Sequence, residues 1–162
     1  MKIIDAKQEH YEEILKLNEE LVHFLSPMDM EKFKKMSEET TLNKVVIEEG
    51  EVAAFLMAFS QGKQYDSVNY KWFDKKYEKF LYVDRVVISP KQHRKGIGKE
   101  LYTYVFDYAK ENNFPVITCE IDIKPINEVS LAFHESMSFK EVGRQEIKGG
   151  EKVVSLQARV VK

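Results

Sequence analysis

The stretch from residue 80 to residue 121 constrains the fold more than any other part of the chain. Residues 80–88 (FLYVDRVVI) form a β-rich run closed by Ser89-Pro90. Ile97, Leu101, Val105 and Tyr108 then recur at three- and four-residue steps, the period of an amphipathic helix, which ends near Asn112-Asn113. Residues 115–121 form a second β-rich run. A strand, a helix and a strand in direct succession close as a βαβ unit, so these two strands are expected to lie parallel in one sheet.

The flanking segments set this unit in a larger sheet. Residues 2–5 read as a short strand. Over residues 11–25, Ile14, Leu17, Leu21 and Phe24 mark an amphipathic helix with Glu12, Glu13, Glu19 and Glu20 on its wet face. Ser26-Pro27 reads as a cap and first-turn proline, opening a shorter helix that turns Phe33 and Met36 inward. Residues 45–47 and 52–59 read as an antiparallel hairpin across Glu49-Gly50. Residues 60–79 hold Tyr65, Tyr70, Trp72, Phe73 and Tyr77 without clean periodicity and read as a long functional loop. Asn127 opens a short helix ending near Ser138, and residues 140–145 and 153–160 read as a closing antiparallel pair. The expected fold class is α/β of the mixed, α+β kind: a central, mostly antiparallel sheet with a parallel βαβ core, flanked by helices. With 162 residues, 7 Gly, 4 Pro and no repeat or linker composition, one domain over residues 1–162 is expected.

Charge narrows the partners. The chain carries 25 basic and 27 acidic residues, a balance that argues against a nucleic-acid binder. Yet from Arg85 to Lys99 there are five basic residues (Arg85, Lys91, Arg94, Lys95, Lys99) and no acid. Gly96 and Gly98 stand at the start of the expected helix, where glycine admits close approach to the backbone. The first N–H groups of a helix lack internal partners, and the helix dipole adds partial positive charge there. Together these features describe a phosphate or pyrophosphate site. The plainer reading is a glycine turn with solvated lysines. A Walker loop is excluded because Glu100 follows Gly98-Lys99, and a dinucleotide fingerprint is weakened by Leu101 at its third glycine position.

Cys119 is the single cysteine, so no disulfide framework or multi-cysteine metal site is expected, and the four histidines show no metal-ligand spacing. The first residues turn polar too soon for a signal peptide, and no apolar run suits a membrane span. A cytoplasmic protein with no membrane partner is expected.

The segment His93-Arg94-Lys95-Gly96-Ile97-Gly98 resembles the acyl-CoA signature of the GNAT superfamily of N-acetyltransferases, Gln/Arg-x-x-Gly-x-Gly/Ala, with histidine at its first position. A second motif of that superfamily is matched by Asn127, Ser130, Phe133, His134, Ser138 and Phe139, where His134 stands for the usual Tyr and Ser138 for the usual Gly. The runs YDSVNYKWF and FLYVDRVVISP further resemble a bacterial branch of the superfamily. The resemblance spans nearly the whole chain and implies a GNAT-like fold and acetyl transfer from acetyl-CoA to an amine, without a covalent enzyme intermediate and without a metal.

It also implies roles. Val86, Val87 and Ile88 would pair with the pantetheine arm and, at a bulge, aim an N–H at the thioester oxygen. His93, Arg94, Lys95, Gly96, Ile97, Gly98 and Lys99 would hold the cofactor's phosphates, and Asn127 would also bind the cofactor. Asp84 or Glu120 would take the amine proton, the plain alternatives being an ion pair with Arg85 and a solvated strand end. His134 would donate to the leaving thiolate; otherwise it is a solvent-facing or capping histidine. Tyr65, Asp66, Asn69 and Trp72 would line the acceptor pocket, or their segment would pack over the sheet edge or against a second copy in a homodimer. Cys119, inside an apolar strand, reads as a small buried hydrophobe. The acceptor would be a small-molecule amine or a protein amino group. The rival readings are a non-catalytic acyl-CoA-binding sensor or scaffold, and a nucleotide-binding redox protein.

Overall fold

The computed structural model describes residues 1–22, 25–93 and 95–162. In chain order its elements are β1 (Lys2–Asp5), α1 (Tyr11–Glu20), α2 (Met30–Glu39), β2 (Leu42–Glu48), β3 (Glu51–Ser60), α3 (Val68–Lys76), β4 (Leu81–Ile88), α4 (Ile97–Glu111), β5 (Val116–Lys124), α5 (Glu128–Ser136), β6 (Lys140–Ile147) and β7 (Lys152–Val160). The seven strands form one sheet in the order β1-β2-β3-β4-β5-β7-β6. β4 and β5 run parallel, as the βαβ reading requires, and the other neighbours pair antiparallel.

Helices cover both faces. On one, Ile14, Leu17, Phe33, Met36, Tyr70 and Phe73 pack over Phe55, Met57, Phe59 and Tyr82. On the other, Ile97, Leu101, Tyr102, Val105 and Ala109 of α4 pack over Leu56, Ala58, Leu81 and Ile117. β3, between the layers, is buried from Val52 to Phe59. That explains its unbroken apolar run, because a strand covered on both faces has no need to alternate.

Three local expectations are corrected. α1 ends at Glu20 rather than near Leu25, and the expected contribution of Phe24 lies outside the described residues. Asn18, fully buried near the end of α1, donates its amide to Ser26 O at 3.1 Å, a bond that a continuing helix could not make because residues eight apart lie two turns from each other. The second helix is capped by Asp29, which accepts from Lys32 N at 2.8 Å, not by Ser26. The supposed loop at residues 60–79 contains α3, capped by Ser67 and burying Asn69, Tyr70 and Phe73. Its buried face mixes an amide with aromatics, which blurs the helical period in the sequence.

The parallel ladder is short. Only Leu81↔Ile117 and Tyr82↔Thr118 pair, and beyond them β4 and β5 part. β4 also carries a bulge. Val83 faces Ala58 and Arg85 faces Met57, so Asp84 is the extra residue. The resemblance put the bulge within residues 86–88; the structure puts it at Asp84. A bulge shifts the in/out alternation by one. Asp84 and Arg85 therefore share one face, and the side chains of Val86 and Ile88 fall on the α4 side.

Candidate active site

The gap between the parted strands opens into a cavity of about 1110 Å³. One wall is the free edge of β4. Ser89 N donates to Ala53 O at 2.8 Å, which fixes the phase of the β3–β4 ladder. In an antiparallel pair alternate residues exchange hydrogen bonds, so Arg85, Val87 and Ser89 face β3. Val86 and Ile88 turn their N–H and C=O groups to the other side, where β5 has left. The Ile88 carbonyl lies 3.3 Å from His93 Nε2.

The next wall is the start of α4. Gly96 sits at φ 76°, ψ 13°, the left-handed region that favours glycine, and lets the loop turn into the helix. The first α-helical bond here runs from Glu100 N to Gly96 O at 3.0 Å. The amides of Ile97, Gly98 and Lys99 consequently have no partner within the helix. A Cβ on Gly98 would lie 3.3 Å from Ile88 Cδ1 and 3.5 Å from Phe133 Cζ, so this glycine lets α4 close onto β4 and α5. Asn127 caps α5, its side chain accepting from Ser130 N at 3.2 Å.

The far end holds carboxylates. Tyr82 donates its hydroxyl to Glu120, with Oε1 at 2.8 Å and Oε2 at 2.6 Å. Asp84 accepts from Tyr65 OH and from Arg85 Nε, both at 2.5 Å. Arg85 Nη1 continues to Asn18 Oδ1 at 2.9 Å and Ser26 O at 3.1 Å. The Arg85 and Asp84 side chains are 3% and 4% exposed, a fully desolvated pair. Burial, helped by the charge of Asp84, pushes Glu120 up to about 8, against the opposing pull of Tyr82 and Arg85. Burial also pushes the Cys119 thiol well up, so it stays protonated. Further along, Lys152 Nζ meets Asp122 Oδ2 at 3.1 Å.

A match to the model of the Acetyltransferase (GNAT) family covers residues 7–139. The chain belongs to the GNAT acetyltransferase family. A comparison with curated proteins finds no match. Among solved structures, the GNAT fold is shared with Ard1 from Thermoplasma volcanium, at TM-score 0.81 and 12% identity over 99% of this chain and 97% of that one. It is shared with the ribosomal-protein-S18-alanine N-acetyltransferase from Escherichia coli, at TM-score 0.70 and 15% identity over 99% and 94%. An aminoglycoside 6'-N-acetyltransferase complexed with coenzyme A matches at TM-score 0.73 and 14% identity over 100% and 98%.

Within this GNAT fold the residues expected from the sequence divide. Asp84, Val86, Ile88, His93, Gly96, Ile97, Gly98, Lys99, Glu120, Asn127 and His134 line the cavity, as do Tyr65 and Asn69. Val87 does not; its side chain is fully buried in the opposite core. Lys95 lies outside the lining and donates to Gln92 Oε1 at 3.0 Å, and Arg94 lies outside the described residues. Asp66 is exposed and outside the lining, between Tyr65 and Ser67, which belong to it. Trp72 packs on β6, where a Cβ on Gly143 would come within 2.6 Å of Trp72 Cζ2. Among the described residues no group of three His, Cys, Asp or Glu is placed to hold a metal.

His134 is 8% exposed and engaged at both nitrogens. Nδ1 lies 2.7 Å from Ser130 O, which can only accept, so Nδ1 carries the proton. Nε2 is then an acceptor for Tyr102 OH at 2.7 Å. Burial lowers the imidazole pKa, which agrees with a neutral ring.

Sequence reasoning missed Asn18, Tyr82 and Tyr102. Two were within reach. Tyr82 is two residues from Asp84 on the same strand, and Tyr102 is four residues, one helical turn, beyond Gly98. Asn18 gave no signal, because its partner Arg85 is remote in sequence.

Proposed function

We propose that this protein transfers an acetyl group from acetyl-CoA to an amine by direct attack. The observation that carries the reading is the free β4 edge at Val86 and Ile88, which runs between the amides at the start of α4 that lack a partner within the helix and the Glu120 carboxyl. A pantetheine arm pairs with such an edge as an added strand would. Its pyrophosphate rests on the amides of Ile97, Gly98 and Lys99. A backbone N–H of Val86 or Ile88 stabilises the thioester oxygen as it gains charge.

Glu120 takes the proton of the attacking amine. Its elevated pKa of about 8 makes it a competent base in mildly alkaline solution. Asp84, bound by Arg85 and Tyr65, remains a fixed negative charge beside it. Cys119 stays a thiol and carries no acyl group. The acceptor, a small-molecule amine or a protein amino group, enters past Tyr65 and Asn69. The flanking acids Asp84 and Asp122 are each matched by a cation, Arg85 and Lys152. Walls drawn from Leu21, just past α1, to Val154 of β7 support a chain that works as one domain. No helix among the described residues is long and apolar enough to cross a membrane. We place the reaction in the cytoplasm, where a free cysteine stays reduced.

Thiol release from acetyl-CoA across a panel of amines tests this reading. Amine-dependent release supports it. A rise in Tm with CoA but no release with any amine would instead make the protein an acyl-CoA-binding module.

A further inference from the structure

We propose that the Tyr102 hydroxyl, not the His134 imidazole, donates the hydrogen bond that holds the departing CoA thiolate. The inference rests on the acetyl transfer proposed above and assigns one further residue to it. The argument starts from the imidazole. Its Nδ1–H is committed to Ser130 O at 2.7 Å, one turn back on α5, with Ser130 Oγ also at 3.3 Å. Its Nε2 presents a lone pair, already occupied by Tyr102 OH at 2.7 Å. The ring is clamped edge-on between Tyr102, Phe133 and Phe139, at interplanar angles of 87°, 85° and 75°. For the imidazole to donate into the cavity it must break the Ser130 bond and turn against three aromatic rings.

Tyr102 needs only to rotate one C–O bond. Its side chain also lines the cavity, one helical turn below Gly98, where α4 touches Ile88 at the free edge of β4. A phenolic O–H that donates to Nε2 in the resting enzyme can swing to an anionic sulfur, and a hydrogen bond to a charged acceptor is the stronger of the two. His134 is then a positioning residue: a fixed acceptor that holds the hydroxyl at the cleft until charge appears.

The step balances without moving the tyrosyl proton. The C–N bond forms as the C–S bond breaks, and the sulfur keeps the electron pair. The amine proton passes to Glu120 and from there to solvent. The thiolate leaves under the Tyr102 hydrogen bond and takes a proton from solvent on release. Tyr102 remains a phenol throughout.

The test compares Tyr102→Phe with His134→Gln. Gln can accept the tyrosyl hydrogen bond but cannot carry an imidazole proton. Turnover of acetyl-CoA, CoA affinity by calorimetry and Tm are measured for each variant. Tyr102→Phe is expected to lower kcat roughly 10- to 100-fold, the weight of one hydrogen bond to a charged group, with CoA affinity within about twofold. His134→Gln is expected to keep most of kcat. The reverse order, equal losses in both, or affinity falling in step with kcat would overturn the assignment. Absence of turnover in the wild-type enzyme with every amine would fail the acetyl-transfer reading itself, a result distinct from any of these.

Discussion

The hydroxyl of Tyr82 is shared between both carboxyl oxygens of Glu120, at 2.8 and 2.6 Å. Tyr82 is fully buried and belongs to the last residue pair of the β4–β5 ladder. Its hydroxyl therefore fixes the carboxyl at the point where the strands part, before the cleft widens.

Glu120 should set the pH dependence of activity. With its pKa at about 8, kcat/KM is expected to rise with pH through that value as the carboxylate forms. Glu120→Gln should lower turnover by roughly 10²- to 10⁴-fold and remove that limb. The same residue marks stability. From its ordinary value of 4.5 up to about 8, folded Glu120 holds a proton that the unfolded chain has released, so raising the pH disfavours the native state. Denaturant melts should show stability falling across this window in the wild type and a flatter curve in Glu120→Gln.

Tyr82→Phe should move the activity limb upward. The hydroxyl favours the ionised carboxyl, so its loss raises the Glu120 pKa. The expected result is reduced activity at pH 7, partly recovered at pH 9. A limb that moves down would contradict the assigned hydrogen bond.

Asp84→Asn should move the limb the other way. The Asp84 charge raises Glu120, so neutralising it lowers the pKa. The variant also strands Arg85, whose side chain is 3% exposed, without its anion. A loss of about 3–5 kcal/mol is expected for breaking such a buried pair, read from the denaturation midpoint. Unchanged stability would show that the pair is not desolvated.

Gly98→Val tests the start of α4. A single Cβ would already press on Ile88 Cδ1 at 3.3 Å and touch Phe133 Cζ at 3.5 Å, and the two further methyl groups of valine have no room beyond that. Overpacking of this kind costs about 1–3 kcal/mol and would tilt α4 off β4. The expected result is a lower Tm and weaker CoA binding, while Gly143→Ala, which presses on Trp72, should lower Tm with CoA affinity retained.

Periodicity made the βαβ core legible. Ile97, Leu101 and Val105 mark α4, and the glycines at 96 and 98 mark its start, because one helix face and one left-handed turn each demand particular residue types. The limits of the reading are equally local. α3 was hidden because Asn69 shares its buried face with Tyr70 and Phe73. The bulge was displaced because nothing in the run LYVDRVVI shows which residue will lack a partner on β3; that depends on the pairing of Met57 with Arg85. Likewise the reading of Asp84 as one half of an ion pair was open in the sequence, and Tyr65 and Asn18, remote in the chain, complete its setting. Side chains joined only by tertiary contact leave no local pattern.

The most direct test of the acetyl-transfer account is amine-dependent thiol release from acetyl-CoA, run side by side on the wild type and Glu120→Gln. CoA-induced change in Tm serves as the control for binding. The account predicts release by the wild type, loss of at least about 100-fold in the variant, and the same CoA-induced stabilisation in both. Equal release by the two proteins, or CoA stabilisation with no release by either, would contradict it.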